Sequence, residues 1–293
     1  MRMLPVATTR RGETMTAIAL PRQPHSAWLE RLRSIHLGLG ARGAAGLGLG
    51  RSGVSAAGNG LLNNLVAYWP LNEAGGANDA LDVHTNGLTL TQVSSPGADT
   101  GKVYATARAF AGSPDYFSRA SETLLQMGDV DFTVAAWVYL AASTPSGNYR
   151  AVAAKDQPAS REMYLFSHGD LGGVFIFGTA GKGYVAATTL GVPPITTWIL
   201  VTGWHDATLG TWNIQCNGGG VDTAAQSGVP VAGASLWTVG TYYDHDRTRS
   251  WNGRIGPIAF WKSAAGGGGV LSAAQRTALW ANGNGLPYSA FTT

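Results

Sequence analysis

The chain is expected to fold as an all-β protein, a two-sheet antiparallel sandwich, and three observations point there. The first is the run Asp131 to Leu140, DFTVAAWVYL, with Gly128 and Asp129 before it and a Ser/Thr/Pro/Gly cluster from Ser143 to Gly147 behind. A period of two puts Phe132, Val134, Ala136, Val138 and Leu140 on one face and Trp137 and Tyr139 on the other. Apolar groups on both faces predict a mid-sheet strand covered on each side. The second observation is recurrence: similar runs return every ten to fifteen residues as far as Trp261, the spacing of short strands in a sandwich. The third is composition. Forty-one glycines and 13% charged residues suit a turn-rich protein with a large core, and nine of the ten tryptophans lie from Trp69 onward, mostly within strand-like runs, where a buried ring contributes most to packing.

In chain order, the first strand and its loop are Leu65 to Glu73, LVAYWPLNE, followed by Gly75, Asp82, Asn86 and Gly87. FAGSPDYF from Phe110 and DFTVAAWV from Asp131 supply two central strands. WILVT from Trp198, Asn217-Gly218, Val239-Gly240 and WNGRIGPIAFW from Trp251 continue the series, and LSAAQ from Leu271 closes it. These blocks, in this order, resemble the laminin-G-like, concanavalin-A-like jelly rolls over roughly residues 63–288. The resemblance implies a jelly-roll sandwich across 63–270 in a domain of residues 63–293, with one short helix near 272–282. The helix has its own local logic. Ser272 and Gln275 make a capping-box pattern, Ala274, Ala278 and Leu279 supply apolar contacts at helical spacing, and Asn282-Gly283 ends it. One fold hosts many activities, so function has to be argued from residues.

Residues 1–62 read as an extended, basic, glycine-rich anchoring arm. Residues 1–58 hold eight arginines, no lysine and two glutamates, a net +6, whereas the remainder is −3. Arg10, Arg11, Arg22, Arg31, Arg33, Arg42 and Arg51 are the anchoring candidates, suited to bidentate contacts with carboxylates on a protein assembly such as a capsid, tail or surface structure. Nucleic acid would call for denser basic runs with interleaved aromatics, and the arm's one aromatic is Trp28. Ser26 to Ile35 is expected to form a short amphipathic helix, and Gly38 to Gly60 is too rich in glycine to bury a core. No stretch reaches the roughly 20 apolar residues of a membrane span. Thr16 to Leu20 is too short for the apolar core of an export signal, which favours assembly inside a cell and release in a virion; an extracellular or cell-surface location is the alternative.

Glycoside hydrolysis needs two carboxylates about 5–10 Å apart. Retaining glucanases of the resembled fold carry Glu-x-Asp-x-Glu on one strand, and Glu73, Glu122 and Glu162 each lack a carboxylate two residues away. Asp129 and Asp131 are two apart but sit at a loop edge. No Gly-x-Ser-x-Gly nucleophile elbow occurs; His168 and His205 end strand-like runs beside Asp170 and Asp206, where solvated loop residues are expected. The resemblance makes calcium the metal to look for, held by loop carboxylates and carbonyls: Asp79 and Asp82 in one loop, Asp244 and Asp246 in another, both also ordinary turn chemistry. Trp204, Tyr242, Tyr243 and Trp251 fall at strand ends and are the candidates for stacking on a glycan, whereas Trp137, Trp198 and Trp212 read as core. Cys216, the one cysteine, reads as a buried small hydrophobe. The function expected is that of a non-enzymatic virion surface protein, decoration or fibre-like, displaying a lectin-like domain. The alternatives are a secreted bacterial adhesin or carbohydrate-binding module and, third, a polysaccharide-cleaving enzyme.

Overall fold

The computed structural model describes residues 58–243 and 249–293; the seven anchoring arginines lie outside them. The strands, in chain order, are β1 (Leu65–Trp69), β2 (Thr91–Val93), β3 (Gly97–Thr100), β4 (Thr106–Ala111) and β5 (Tyr116–Arg119). They continue as β6 (Asp131–Leu140), β7 (Tyr149–Gln157), β8 (Ser160–His168), β9 (Val174–Thr179) and β10 (Gly183–Ala186). The last are β11 (Trp198–Asp206), β12 (Thr211–Cys216), β13 (Val221–Ala225), β14 (Trp237–Val239) and β15 (Asn252–Ser263). They form two antiparallel sheets. One has eight strands in the order β13-β12-β11-β6-β15-β4-β3, with β1 also on β15; the other has seven, β10-β9-β8-β7-β14-β5-β2.

The anticipated mid-sheet strand is β6, between β11 and β15. Its Phe132, Val134, Ala136, Val138 and Leu140 enter the core between the sheets with Phe175, Phe177, Trp212, Trp237 and Trp251. Ala135 and Trp137, on the other face, are covered by the C-terminal segment. Partway along β15 its outer neighbour changes from β4 to β1, and the register slips between Ile255 and Ile258. Pro257 sits in that break, where a residue without an N–H costs no ladder bond. At Gly203 of β11 a Cβ would stand 2.4 Å from the Phe177 ring of the facing sheet, so a glycine there lets the two layers close.

Helix α1 (Ala273–Trp280) opens with the anticipated reciprocal box: the Ser272 hydroxyl accepts from Gln275 N and the Gln275 side chain from Ser272 N. It ends earlier than expected. Ala281 and Asn282 are left-handed (φ 45° and 53°), and Gly283 completes a 3-10 turn. Trp280 stacks on Trp137 at 5.4 Å and 17°, while Tyr288 and Phe291 pack on Tyr68. The domain also begins before residue 63: Leu61 is fully buried, its carbonyl accepts from Trp261 Nε1, and Asn59 Nδ2 donates to the Ala290 carbonyl. Gly58 to Leu62, assigned to the arm from composition, therefore belong to the folded unit.

A buried ion pair fastens two long connections to the seven-stranded sheet. Lys155 of β7 and Glu162 of β8 are fully buried and bonded to each other. Lys155 Nζ also donates to the Gly233 carbonyl, and Glu162 accepts from Met127 N. Lys262 of β15 reaches the Thr123 and Gln126 carbonyls of the same 120–130 connection.

An aromatic pocket on the seven-stranded sheet

Strand β8 alternates. Met163 and Leu165 enter the core, and Tyr164 and Phe166 join a separate outer cluster with Ile176 and Tyr242. Register places Ala154, Tyr164, Gly178 and Tyr184 in one row across β7, β8, β9 and β10, and Ala151, Phe166, Ile176 and Ala186 in the next. Ala151 and Ala154 therefore flank the aromatic column on the β7 side, and on the β9 side Tyr184 comes in close over Gly178. Gly178 is required there, since a Cβ would lie 2.4 Å from Gly183 O and 2.5 Å from Tyr184 Cα. The result is a cavity of about 320 Å³, a size that suits a small ligand. Tyr164, Phe166, Ile176 and Tyr242 are buried at its base. Tyr149, Tyr184 and Tyr243, with Arg161, Arg249 and His168, form the sides.

The base is fixed by packing and by one polar network. Tyr164 and Phe166 stack at 4.5 Å and 10°, and Tyr242 meets Phe166 edge-on at 5.0 Å. The Tyr242 hydroxyl donates to Asp156 Oδ2 at 2.5 Å and accepts from Arg161 Nη1 at 2.9 Å, while Arg161 also reaches Asp156 at 3.3 Å. Burial raises the Asp156 carboxyl above its ordinary value, against the opposing pull of Tyr242 and Arg161. Burial is the largest single influence on Arg161 and disfavours its charge, but Asp156, Tyr242 and Tyr243 together outweigh it and hold the guanidinium above its ordinary value. Burial pushes the Tyr164 and Tyr242 hydroxyls up, so they stay donors at any physiological pH. Burial also lowers His168 against the influence of Asp170, leaving a neutral imidazole whose buried Nδ1 has no hydrogen-bond partner. Arg249 lies 5.3 Å from the Tyr242 ring and 5.9 Å from Tyr149. The pocket thus offers ring faces, hydroxyls and two guanidiniums. Its described lining contains no carboxylate, and the nearby Asp156 is committed to Tyr242 and Arg161.

Of the four glycan candidates, Tyr242 and Tyr243 are in this pocket, edge to face at 4.6 Å. The other two are not. Trp251 is fully buried between the sheets, and Trp204, on the outer face of the other sheet, lies beneath Arg276 at 4.3 Å. Proximity to a strand end misplaced them, because core rings extend to the ends of these strands. Tyr149, Tyr164, Tyr184 and Arg161 were missed. Only Tyr164 had a local signal, the alternation Tyr164-Phe166-His168 against Met163-Leu165 along β8; Tyr149 and Tyr184 reach the pocket from other strands. His205 is also corrected: it is fully buried, with Nδ1 2.9 Å from the Val130 carbonyl and Nε2 2.8 Å from Gln226 Oε1. Trp137 and Trp212 are core as expected, Trp198 is partly buried, and Cys216 is buried with its thiol pushed up by burial.

The Asp79–Asp82 loop does not fit calcium. Asp82 accepts from the backbone amides of Tyr68, His84 and Leu88, and Asp79 from that of Gln92. The carbonyls a cation would want are claimed by buried Arg108, which donates to Ala74, Gly76 and Pro96. Among the described residues no group of three or more His, Cys, Asp or Glu is arranged to hold a metal; Asp244 and Asp246 lie outside the described residues. Asp82→Ala is therefore expected to cost about 1–3 kcal/mol through amides left without their acceptor, equally in millimolar calcium and in chelator. A loss seen only with calcium present, in thermal melts, would refute this.

Residues 111–267, more than half the chain, match the concanavalin A-like lectin/glucanases superfamily, and the chain belongs to it. No curated protein sequence matches the chain. Similar solved structures include the binding domain of Paraclostridial Mosquitocidal Protein 1, at TM-score 0.54 and 11% identity over 75% of this chain and 52% of that one. Domain 4 of an extracellular arabinanase from Geobacillus stearothermophilus, in complex with arabinotriose, aligns at TM-score 0.54 and 15% identity over 73% of this chain and 97% of that one. The binding domain of Botulinum Neurotoxin DC in complex with SialylT aligns at 0.50 and 10%, over 75% and 52%. The chain thus spans about half the length of the first and third and nearly all of the second. At these identities the likeness establishes the fold alone.

Proposed function

We propose that the domain is a non-enzymatic glycan-binding module whose site is the aromatic pocket. The observation that carries this reading is the pocket's cluster of tyrosine and phenylalanine rings, bordered by hydroxyls and guanidiniums, with no carboxylate among its described lining residues. Sugar rings present apolar faces that stack on aromatics and equatorial hydroxyls that pair with such donors. Two of the similar structures above hold a saccharide, arabinotriose in one and SialylT in the other, which supports the same direction. The absence of a pair of carboxylates in the described lining argues against hydrolysis. The test is a broad saccharide array probed with the full chain, together with a reducing-sugar assay on whatever binds. Binding without turnover is expected; release of reducing sugar would overturn the non-enzyme reading, and an array without a hit would overturn the glycan reading.

The proposal extends to residues 1–57 as the segment that docks the domain to a protein assembly, on a virion in the reading favoured here. Eight arginines, no lysine and a high glycine content in this part of the sequence support it. Deleting residues 1–57 is expected to leave a soluble domain that keeps its saccharide affinity and no longer joins the parent particle. Incorporation of the truncated chain at full occupancy would show that the domain itself does the docking.

A further inference from the structure

A second, smaller cavity of about 150 Å³ is lined by three stretches of chain: the end of β4 and its turn (Gly112, Ser113), the start of β7 (Asn148, Arg150) and the start of β15 (Ser250, Asn252). Strand β7 belongs to the seven-stranded sheet, whereas β4 and β15 belong to the eight-stranded one, so both sheets wall this cleft. Consecutive residues of a strand face opposite ways. Tyr149 and Ala151 pack in the outer aromatic cluster, which leaves Arg150, between them, on the inner side of β7. The backbone of β7 therefore separates the cleft from the aromatic pocket, and the two are different sites.

Arg150 gives the cleft its chemistry. Arg119, Arg161 and Arg254 each have a carboxylate, from Glu122, Asp156 and Asp99. Arg108 is held by carbonyls, and Arg276 by the Gln215 side chain and the Leu271 carbonyl. Among the described residues, Arg150 donates to one group, the Ala142 carbonyl at 3.1 Å, although a guanidinium carries five N–H donors. Burial lowers its pKa, and no acidic side chain acts against that. Asn148 and Asn252 add amide donors to the lining, which contains no carboxylate. A partly desolvated cation among neutral donors, with no counter-charge, favours an oxyanion, which the planar guanidinium can engage through two parallel bonds. The volume is below that of a site for a drug-sized ligand and suits a single carboxylate, sulfate or phosphate group.

We propose that this cleft is an oxyanion-binding site, with Arg150 as its charged contact and Asn148 and Asn252 as its neutral donors. The site is independent of the aromatic pocket and of the glycan reading. Its occupant is a free oxyanion or the acidic group of a larger ligand bound at this end of the domain, and the chemistry of the contact is the same for both.

The experiment titrates the full chain with acetate, sulfate and inorganic phosphate, each against chloride at matched ionic strength. Binding is read by NMR from the Arg150 Nε–H and the Asn148 and Asn252 side-chain amides. At least one oxyanion is expected to saturate these signals in the millimolar range, and which one responds separates a planar carboxylate from a tetrahedral group. Arg150→Gln is expected to weaken that binding about ten-fold or more, the loss of a charge-assisted contact, and Arg150→Lys to keep part of it. Melting curves of both variants in chloride, matched to the wild type, exclude misfolding as the cause; Arg150→Lys, which keeps the charge, carries the comparison if the glutamine variant is unstable. Trigalacturonate and 6-sulfated N-acetyllactosamine distinguish the sources: displacement of the ion by either assigns the cleft to an acidic group on a larger ligand, and failure of both to displace it assigns a free ion. Signals that do not saturate with any oxyanion, or binding that survives Arg150→Gln undiminished, overturn the site.

Discussion

Lys155→Met is expected to destabilise the domain by about 3–5 kcal/mol, because it strands the Glu162 carboxylate in a fully buried position. The substitution preserves chain length and apolar volume, so the loss reports the abandoned charge rather than a cavity. It should also be felt at a distance. Glu162 orders the 120–130 connection through Met127 N, and Lys155 orders the approach to β14 through the Gly233 carbonyl. The double replacement Lys155→Met with Glu162→Leu removes both charges together and is expected to recover most of the loss, as hydrophobic substitutes for buried pairs commonly do. Urea denaturation of the three chains decides this. A single-variant loss under 1 kcal/mol would show that water reaches the pair, and a double variant no better than the single would show that the two connections, not the charges, set the cost.

Tyr184→Ala is expected to weaken saccharide binding about 30-fold or more, the effect of losing one interfacial anchor worth about 2 kcal/mol. Tyr184 is the suitable position because it is 48% exposed and borders the pocket from the edge strand, so its removal is expected to alter stability by no more than about 0.5 kcal/mol. Tyr164→Ala would confound the two, since that ring is buried against Phe166. Calorimetry with the strongest array ligand measures the effect. Unchanged affinity for the Tyr184 variant would place the binding surface elsewhere on the domain.

Most of the fold was legible in the chain because its cues are local. The alternation of β6, the strand spacing and the Ser272–Gln275 box each act within a few residues, and each appears in the structure where the sequence put it. The site was less legible because it depends on register. Nothing local reveals that Tyr164 and Tyr184 share a row with Gly178 between them, since that follows from the pairing of β8 and β10 with β9. Burial misled in the same way. Trp251 and Tyr242 both stand near strand ends, yet one ring turns between the sheets and the other outward. The Asp-rich loop illustrates a different difficulty: carboxylates spaced for a cation are also spaced for backbone amides, and it takes Arg108, distant in sequence, to show which role the loop adopts.

Asn59 and Thr292 meet at one spot. Leu62 N donates to the Thr292 carbonyl, and Thr292 N to Asn59 Oδ1. That spot belongs to the layer covering the outer face of the eight-stranded sheet, whereas the aromatic pocket opens on the outer face of the seven-stranded sheet, across the whole thickness of the sandwich. The domain therefore has a back and a front. Gly58 and the Thr293 carbonyl stand together at the back. Under the glycan and docking proposals, a load applied between the two faces would pass through both layers and their shared core, instead of peeling an edge strand from its sheet.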